Sequence, residues 1–278
     1  MKALKGSIVK GAAGALLLAG SAVAQDAGPR AVVMEMDVGL AQHTIYYPRY
    51  PRVPLGIVAW GNGGCLNDGS NYADLLSEIA AQGFLVIANG GVQPPEFTND
   101  TTAEQLTEAI DWAIAENTRA ASKHVGTLDV TQVAVMGHSC GGRQALIAAG
   151  DARVKTALIL HSGISAPGLV SPGSAPPDTL SKLHSPTLYL AGGRSDRAHH
   201  AAESDFNLID TVPIVKAEMD VGHNGTLFED GGGVFGNVIA AWLAWQLKGS
   251  AEGAKVFTGK DCMLCTTPGW QIAKKKID

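Results

Sequence analysis

Between Leu55 and Lys248, short continuous apolar runs alternate with stretches of helical period, and this alternation restricts the fold more than any single motif. Leu55 to Trp60, Phe84 to Ala88, Val133 to Met136, Ala157 to Leu160, Thr187 to Ala191 and Pro213 to Ala217 read as strands. A strand that is apolar throughout has no face to give to water. It must be covered on both sides, which is the position of a parallel strand in a helix-flanked sheet. The stretches between them supply the helices. Leu75, Leu76, Ile79 and Ala80 share one helical face, with Gly83 as the stop. Thr102 and Gln105 have capping-box spacing ahead of Leu106, Ala109, Ile110 and Ala113. Gly141 to Ala149 and Val234 to Lys248 complete the set, the second ending at Gly249. The expectation is an α/β fold with a mostly parallel central sheet and helices on both faces. Ala31 to Met36 and His43 to Tyr47 form an antiparallel lead-in.

A chain of 278 residues can bury one large core. No linker-like stretch divides it, and no separate cap domain is expected. Ile164 to Ser185, with four prolines, is too short for a domain and reads as a rim or lid. Lys2, Lys5 and Lys10, the apolar run Ala12 to Ala24 and the small-residue end Ala22-Val23-Ala24 have the order of a secretory signal cleaved after Ala24. That apolar run is shorter than the ~20 residues a membrane span needs. The expected organisation is a signal over 1–24, a single α/β domain over 25–249 and a C-terminal tail packed on it over 250–278. A secreted or periplasmic protein follows, where four cysteines form two disulfides through one of three connectivities.

Chemistry enters at Gly137-His138-Ser139-Cys140-Gly141-Gly142. A serine framed by glycines between a buried strand and a small-residue helix can sit at the tip of a tight turn, exposed for attack. Its hydroxyl needs a base, and the base an orienting acid. Thr187 to Ala191 runs into Gly192-Gly193-Arg194-Ser195-Asp196, and the last strand is followed by Val221-Gly222-His223-Asn224-Gly225. Ser139, Asp196 and His223 therefore all fall at the carboxyl edge of the sheet, where open parallel sheets build their sites. Asp205 and Asp220 are the competing acids. His138, His161 and His184 read as packed or surface histidines.

These three segments, in this order on these strands, resemble a secreted α/β-hydrolase of the chlorophyllase, dienelactone-hydrolase and polyester-hydrolase neighbourhood. The resemblance implies an ester hydrolase with Ser139 as nucleophile, His223 as general base and acid, and Asp196 as orienter. It implies an oxyanion hole from the Cys140 amide and one in Trp60-Gly61-Asn62-Gly63-Gly64, with Asn62 N–H first and Gly63 next. Trp60, Gly61 and Gly63 would then line the substrate cleft. Both oxyanion loops converge on one carbonyl oxygen, which brings Cys65 near Cys140 and suggests that bridge. Cys262 and Cys265 would form a local one.

The formal net charge of −5 offers no attraction to nucleic acid or to an anionic membrane. The chemistry uses no cofactor and no metal. The expected substrate is a small or extended polymeric ester, met by a monomer, with polyester hydrolysis or lipase action as the narrower alternative. Cys262-Met263-Leu264-Cys265 raises a thiol–disulfide protein as another class, and a non-catalytic binder on the same scaffold is a third.

Overall fold

Six strands lie parallel, and in four of the five connections between them a helix crosses back over the sheet. A computed structural model describes residues 31–165, 175–176 and 178–278. Its strands are β1 (Val32–Glu35), β2 (His43–Pro48), β3 (Leu55–Gly61), β4 (Phe84–Asn89), β5 (Leu128–His138), β6 (Val154–Leu160), β7 (Thr187–Ala191), β8 (Ile214–Met219) and β9 (Trp270–Lys275). The main helices are α1 (Ala73–Ala81), α2 (Ala103–Glu116), α3 (Cys140–Ala148), α4 (His199–Leu208) and α5 (Gly233–Lys248). Two single turns follow, α6 (Ala251–Ala254) and α7 (Met263–Thr266). One sheet runs in the order β1-β2-β4-β3-β5-β6-β7-β8-β9. Strands β3 to β8 are parallel to their neighbours within that block, while β1, β2 and β9 close the two edges antiparallel. This is the expected α/β-hydrolase arrangement.

Strand alternation sorts the core into two layers. Ile57 and Ala59 point to the side of α2, α3 and α4, where Leu106, Ile110, Leu146 and Phe206 cover them. Val58 and Trp60 point the other way, toward Leu75 and Leu76 of α1 and Phe235, Ile239 and Trp242 of α5. Burying each of these larger side chains stabilises the fold by about 1.5–3 kcal/mol. The helix limits are set locally as well. Thr102 and Gln105 form a full capping box on α2, and Gly249 closes α5 in the left-handed conformation with φ 65°.

The segment after Gly249 enters the sheet itself. β9 pairs with β8 from Ile214↔Lys275 to Met219↔Trp270. Lys275 Nζ donates to the carbonyls of Phe206, Asn207 and Ile209, capping the C-terminus of α4. The signal expected over 1–24 lies outside the described residues, as do residues 166–174 and 177 of the lid expected over Ile164 to Ser185. Among the described residues, no helix is long and apolar enough to cross a membrane.

Candidate active site

β5 ends at His138 and α3 begins at Cys140, so Ser139 alone makes the turn between them. Its backbone has φ 53° and ψ −112°, a conformation that costs a non-glycine residue about 1–3 kcal/mol. Surrounding bonds hold it there. Ser139 N donates to Leu160 O at 2.9 Å, and Ser139 O accepts from Ser162 Oγ at 2.6 Å. The flanking glycines are required by close approach: a Cβ on Gly141 would lie 1.9 Å from Gly61 O, and one on Gly137 2.3 Å from Gly141 O.

From the next strand ends come the other two groups. His223 Nε2 accepts from Ser139 Oγ at 2.9 Å, and its Nδ1 donates to Asp196 Oδ1 at 2.7 Å. The Asp196 side chain is fully buried. Burial by itself raises the pKa of a carboxyl group. Here the hydrogen bonds from His161 and His223, and from the amides of Ala198 and Gly192, outweigh it and hold the group well below the usual carboxylate range. Asp196 therefore stays ionised and can accept from an imidazole at any working pH. The arrangement can move a proton from a serine hydroxyl to an imidazole whose charge the carboxylate balances.

A family model described as PETase, PET hydrolase-like, matches residues 19–210, well over half of the chain. The chain belongs to the PET hydrolase-like family. Cutinase est1 and Cutinase est2 of Thermobifida alba are each 36% identical to it over 107 residues, or 37% of this chain. The match spans 33% of the length of each of these two cutinases.

Within this PET hydrolase-like chain the competing acids lie elsewhere. Asp205 accepts from the amides of Ile164 and Ser165 and from Tyr189 Oη, fixing the chain where it leaves β6. Asp220 accepts from Ser195 N and Oγ. Cys140 heads α3, so its N–H is one of the first-turn donors that the helix leaves without a partner. The Asn62 loop reaches the same place, because Gly141 N donates to Asn62 O at 3.0 Å. Cys65 and Cys140 are bridged, with Cα atoms 5.2 Å apart, and Cys262 is bridged to Cys265.

Trp60 does not line a cleft. Its side chain has no exposed surface; it packs edge-on against Tyr72, and its Nε1 donates to Asn62 Oδ1. Pleat alternation aims it into the α1–α5 layer, and its service is to hold the Asn62 amide group. Asn62 Nδ2 meanwhile faces the carbonyls of Leu66, Asp68 and Asn89, which fixes the loop from beneath. Gly61 is likewise buried, its backbone pressed on that of Gly141. Gly63 is half-buried, packed beside His138 and Tyr72. An exposed aromatic, Phe228, follows His223 by five positions, with its ring stacked on Tyr72 at 4.8 Å.

Two histidines read as packing residues have site partners. His138 Nε2 donates to His223 O at 2.8 Å, and its Nδ1 accepts from Tyr72 Oη at 2.7 Å. His161 Nδ1 donates to Asp196 Oδ2 at 2.8 Å. The sequence signal was position: His138 directly precedes Ser139, and His161 is the first residue past β6 at the same sheet edge.

Proposed function

We propose that this protein is a serine hydrolase of carboxylic esters, with extended polyester chains as its substrate class and small esters as accessible probes. The observation that carries the reading is the hydrogen-bonded series Ser139 Oγ, His223 Nε2, His223 Nδ1 and Asp196 Oδ1 on a strained strand-to-helix turn. Membership of a family described as PET hydrolase-like, and partial likeness to two proteins named cutinases, support the polymeric choice.

In this mechanism His223 removes the Ser139 proton as Oγ attacks the ester carbonyl. The amides of Cys140 and Asn62 receive the developing oxyanion. Collapse passes the proton from His223 to the departing alkoxide and leaves an acyl group on Ser139. A water molecule, deprotonated by His223, attacks that acyl group; the acid leaves and Ser139 regains its proton. Phe228 offers an apolar surface beside the cleft. The protein works outside the cytoplasm, a reading supported by its two disulfides.

A series of p-nitrophenyl esters of rising acyl length, run beside an aromatic polyester film, tests the proposal. Release of soluble acid from the film by the wild type, and none by Ser139→Ala, is expected. Turnover of small esters with no release from the film would restrict the protein to soluble carboxylic esters.

A further inference from the structure

Asp196 has a second imidazole. His161 lies on the opposite side of the carboxylate from His223, fully buried, with Nδ1 2.8 Å from Oδ2. With amides of Gly192 on Oδ2 and Ala198 on Oδ1, every lone-pair direction of the carboxylate is addressed. The His161 proton must sit on Nδ1, since an ionised carboxylate can only accept. Nε2 is then a bare acceptor, buried with no hydrogen-bond partner among the described residues. Leaving such an atom dry is costly, about 1–3 kcal/mol. A leucine there would carry no such cost, so packing alone does not account for a histidine at this position.

The ring also fixes the neighbouring loop. It stacks on Phe235 at 5.2 Å. A Cβ on Gly225, two residues past His223, would meet Nε2 at 2.6 Å, and one on Gly192 would meet Nδ1 at 3.0 Å. His161 thus fills the space between the loop that carries Asp196 and the loop that carries His223. Its own backbone takes φ 47°, an unusual value for a side chain of this size, and its N–H donates to Leu190 O at the end of β7.

We infer that His161 is a positioning residue of the proposed ester hydrolysis: its Nδ1–H holds the Asp196 carboxylate in the plane that presents Oδ1 to His223, so that the two imidazoles share one acid. The inference rests on the hydrolase reading given above. A rotated carboxylate would still fold and still be ionised, but would leave the base in the wrong orientation during proton transfer.

Asn and Leu are nearly isosteric and differ in the donor, so the pair His161→Asn and His161→Leu separates hydrogen bonding from filling. Turnover of p-nitrophenyl acetate is measured per competent site, counted by titration with a serine-directed phosphonate. Loss of a hydrogen bond to a charged group predicts a kcat lowered about 10- to 100-fold in His161→Leu with KM little changed. His161→Asn, which places an amide N–H near the Nδ1 position, is expected to stay within a few-fold of the wild type. Equal kcat in the two variants, whether both normal or both depressed, would overturn the inference. If His161→Leu does not fold, proton NMR of the wild type decides. Two downfield imidazole N–H resonances, one of which is lost in His161→Asn, are expected; a single resonance unchanged in that variant would refute the shared acid. Ser139→Ala keeps the two levels apart. If it still turns over the ester, the hydrolase reading fails; if it is inactive while His161→Leu is normal, only the positioning role fails.

Discussion

His138 ends on the backbone of the residue it would have to serve: its Nε2 lies 2.8 Å from the carbonyl oxygen of His223. The same ring accepts from Tyr72 Oη, so Tyr72 in the α1 layer, His138 beside Ser139 and the His223 loop form one hydrogen-bonded series. Tyr72→Phe removes the far end and leaves His138 Nδ1 buried without a donor, a penalty of about 1–3 kcal/mol. The expected result is a melting temperature lowered by a few degrees and a kcat for p-nitrophenyl acetate reduced severalfold. An unchanged kcat would show that the His223 loop holds its place without this support.

Burial holds the His138 pKa down at about 3, against an ordinary 6.5, and lowers those of His43, His124 and His161 as well. Below pH 6.5 the unfolded chain takes up a proton at each position while the folded chain does not. Stability therefore falls as pH falls, by about 1.4 kcal/mol per unit for each histidine inside its window, which for His138 extends to about pH 3. Asp205, whose pKa burial raises, acts in the opposite sense and offsets part of the loss. Urea unfolding between pH 7 and 4 should show the decline, and His138→Gln should make it shallower. A stability that is flat over that range would contradict neutral buried imidazoles.

Asp196→Asn places an amide where two imidazole N–H groups now donate. One donor must then face another, and His223 is left in the wrong tautomer to accept from Ser139. A kcat lower by about 10⁴ is expected, since the orienting acid acts only through the imidazole. Asp205→Asn and Asp220→Asn should leave kcat within a few-fold, because neither contacts His223. A severe loss in either, with a mild one at Asp196, would reassign the acid.

The sheet, and the meeting of Ser139, His223 and Asp196 at its edge, were legible because each is marked locally. A glycine-framed serine after a buried strand, and an acid and a histidine directly after later strands, need no knowledge of distant contacts. The Cys65–Cys140 bridge was legible one step further, since the two loops proposed to supply the oxyanion amides have to converge. Trp60 was misread because it lies in a strand buried on both faces, where composition does not say which layer receives the ring. His161 and His138 were missed for a related reason. Their partners, Asp196 and the His223 carbonyl, lie 35 and 85 positions away, and no spacing rule records that separation. The pairing of β9 is similar: Trp270 to Lys275 carries little apolar alternation, and its place comes from the open edge of β8.

Phe228 takes the place of Trp60 as the aromatic proposed to meet substrate. Half exposed and stacked on Tyr72, it can offer a ring face to an apolar acyl group. An exposed aromatic contact contributes about 0.5–1.5 kcal/mol. For a p-nitrophenyl benzoate, Phe228→Ala should raise KM about 2- to 10-fold while kcat stays close to wild type. The acetate ester, too small to reach the ring, should be unaffected. Equal effects on both esters would mean that the ring supports the His223 loop and does not touch substrate.

The Cys65–Cys140 bridge joins the two loops whose amides are proposed to bind the oxyanion, across 75 positions of sequence. Gln144 Nε2, which also donates to Thr101 O, lies 3.1 Å from Cys65 Sγ, so the bridge is seated in a buried polar cluster. In the chain-entropy model, closing a loop of that length stabilises the fold by about 4 kcal/mol. For a protein of this size that corresponds to about 8–16 °C in melting temperature. The local Cys262–Cys265 bridge closes a separation of 3 and constrains the unfolded chain far less. Cys65→Ala with Cys140→Ala should therefore melt many degrees lower and lose kcat, because the Cys140 and Asn62 amides are no longer tied to one geometry. Cys262→Ala with Cys265→Ala should shift melting by only a few degrees and keep kcat. If the first pair lost stability but retained full kcat, the two amides would be placed by α3 and the Asn62 network alone, and the bridge would serve the fold and not the chemistry.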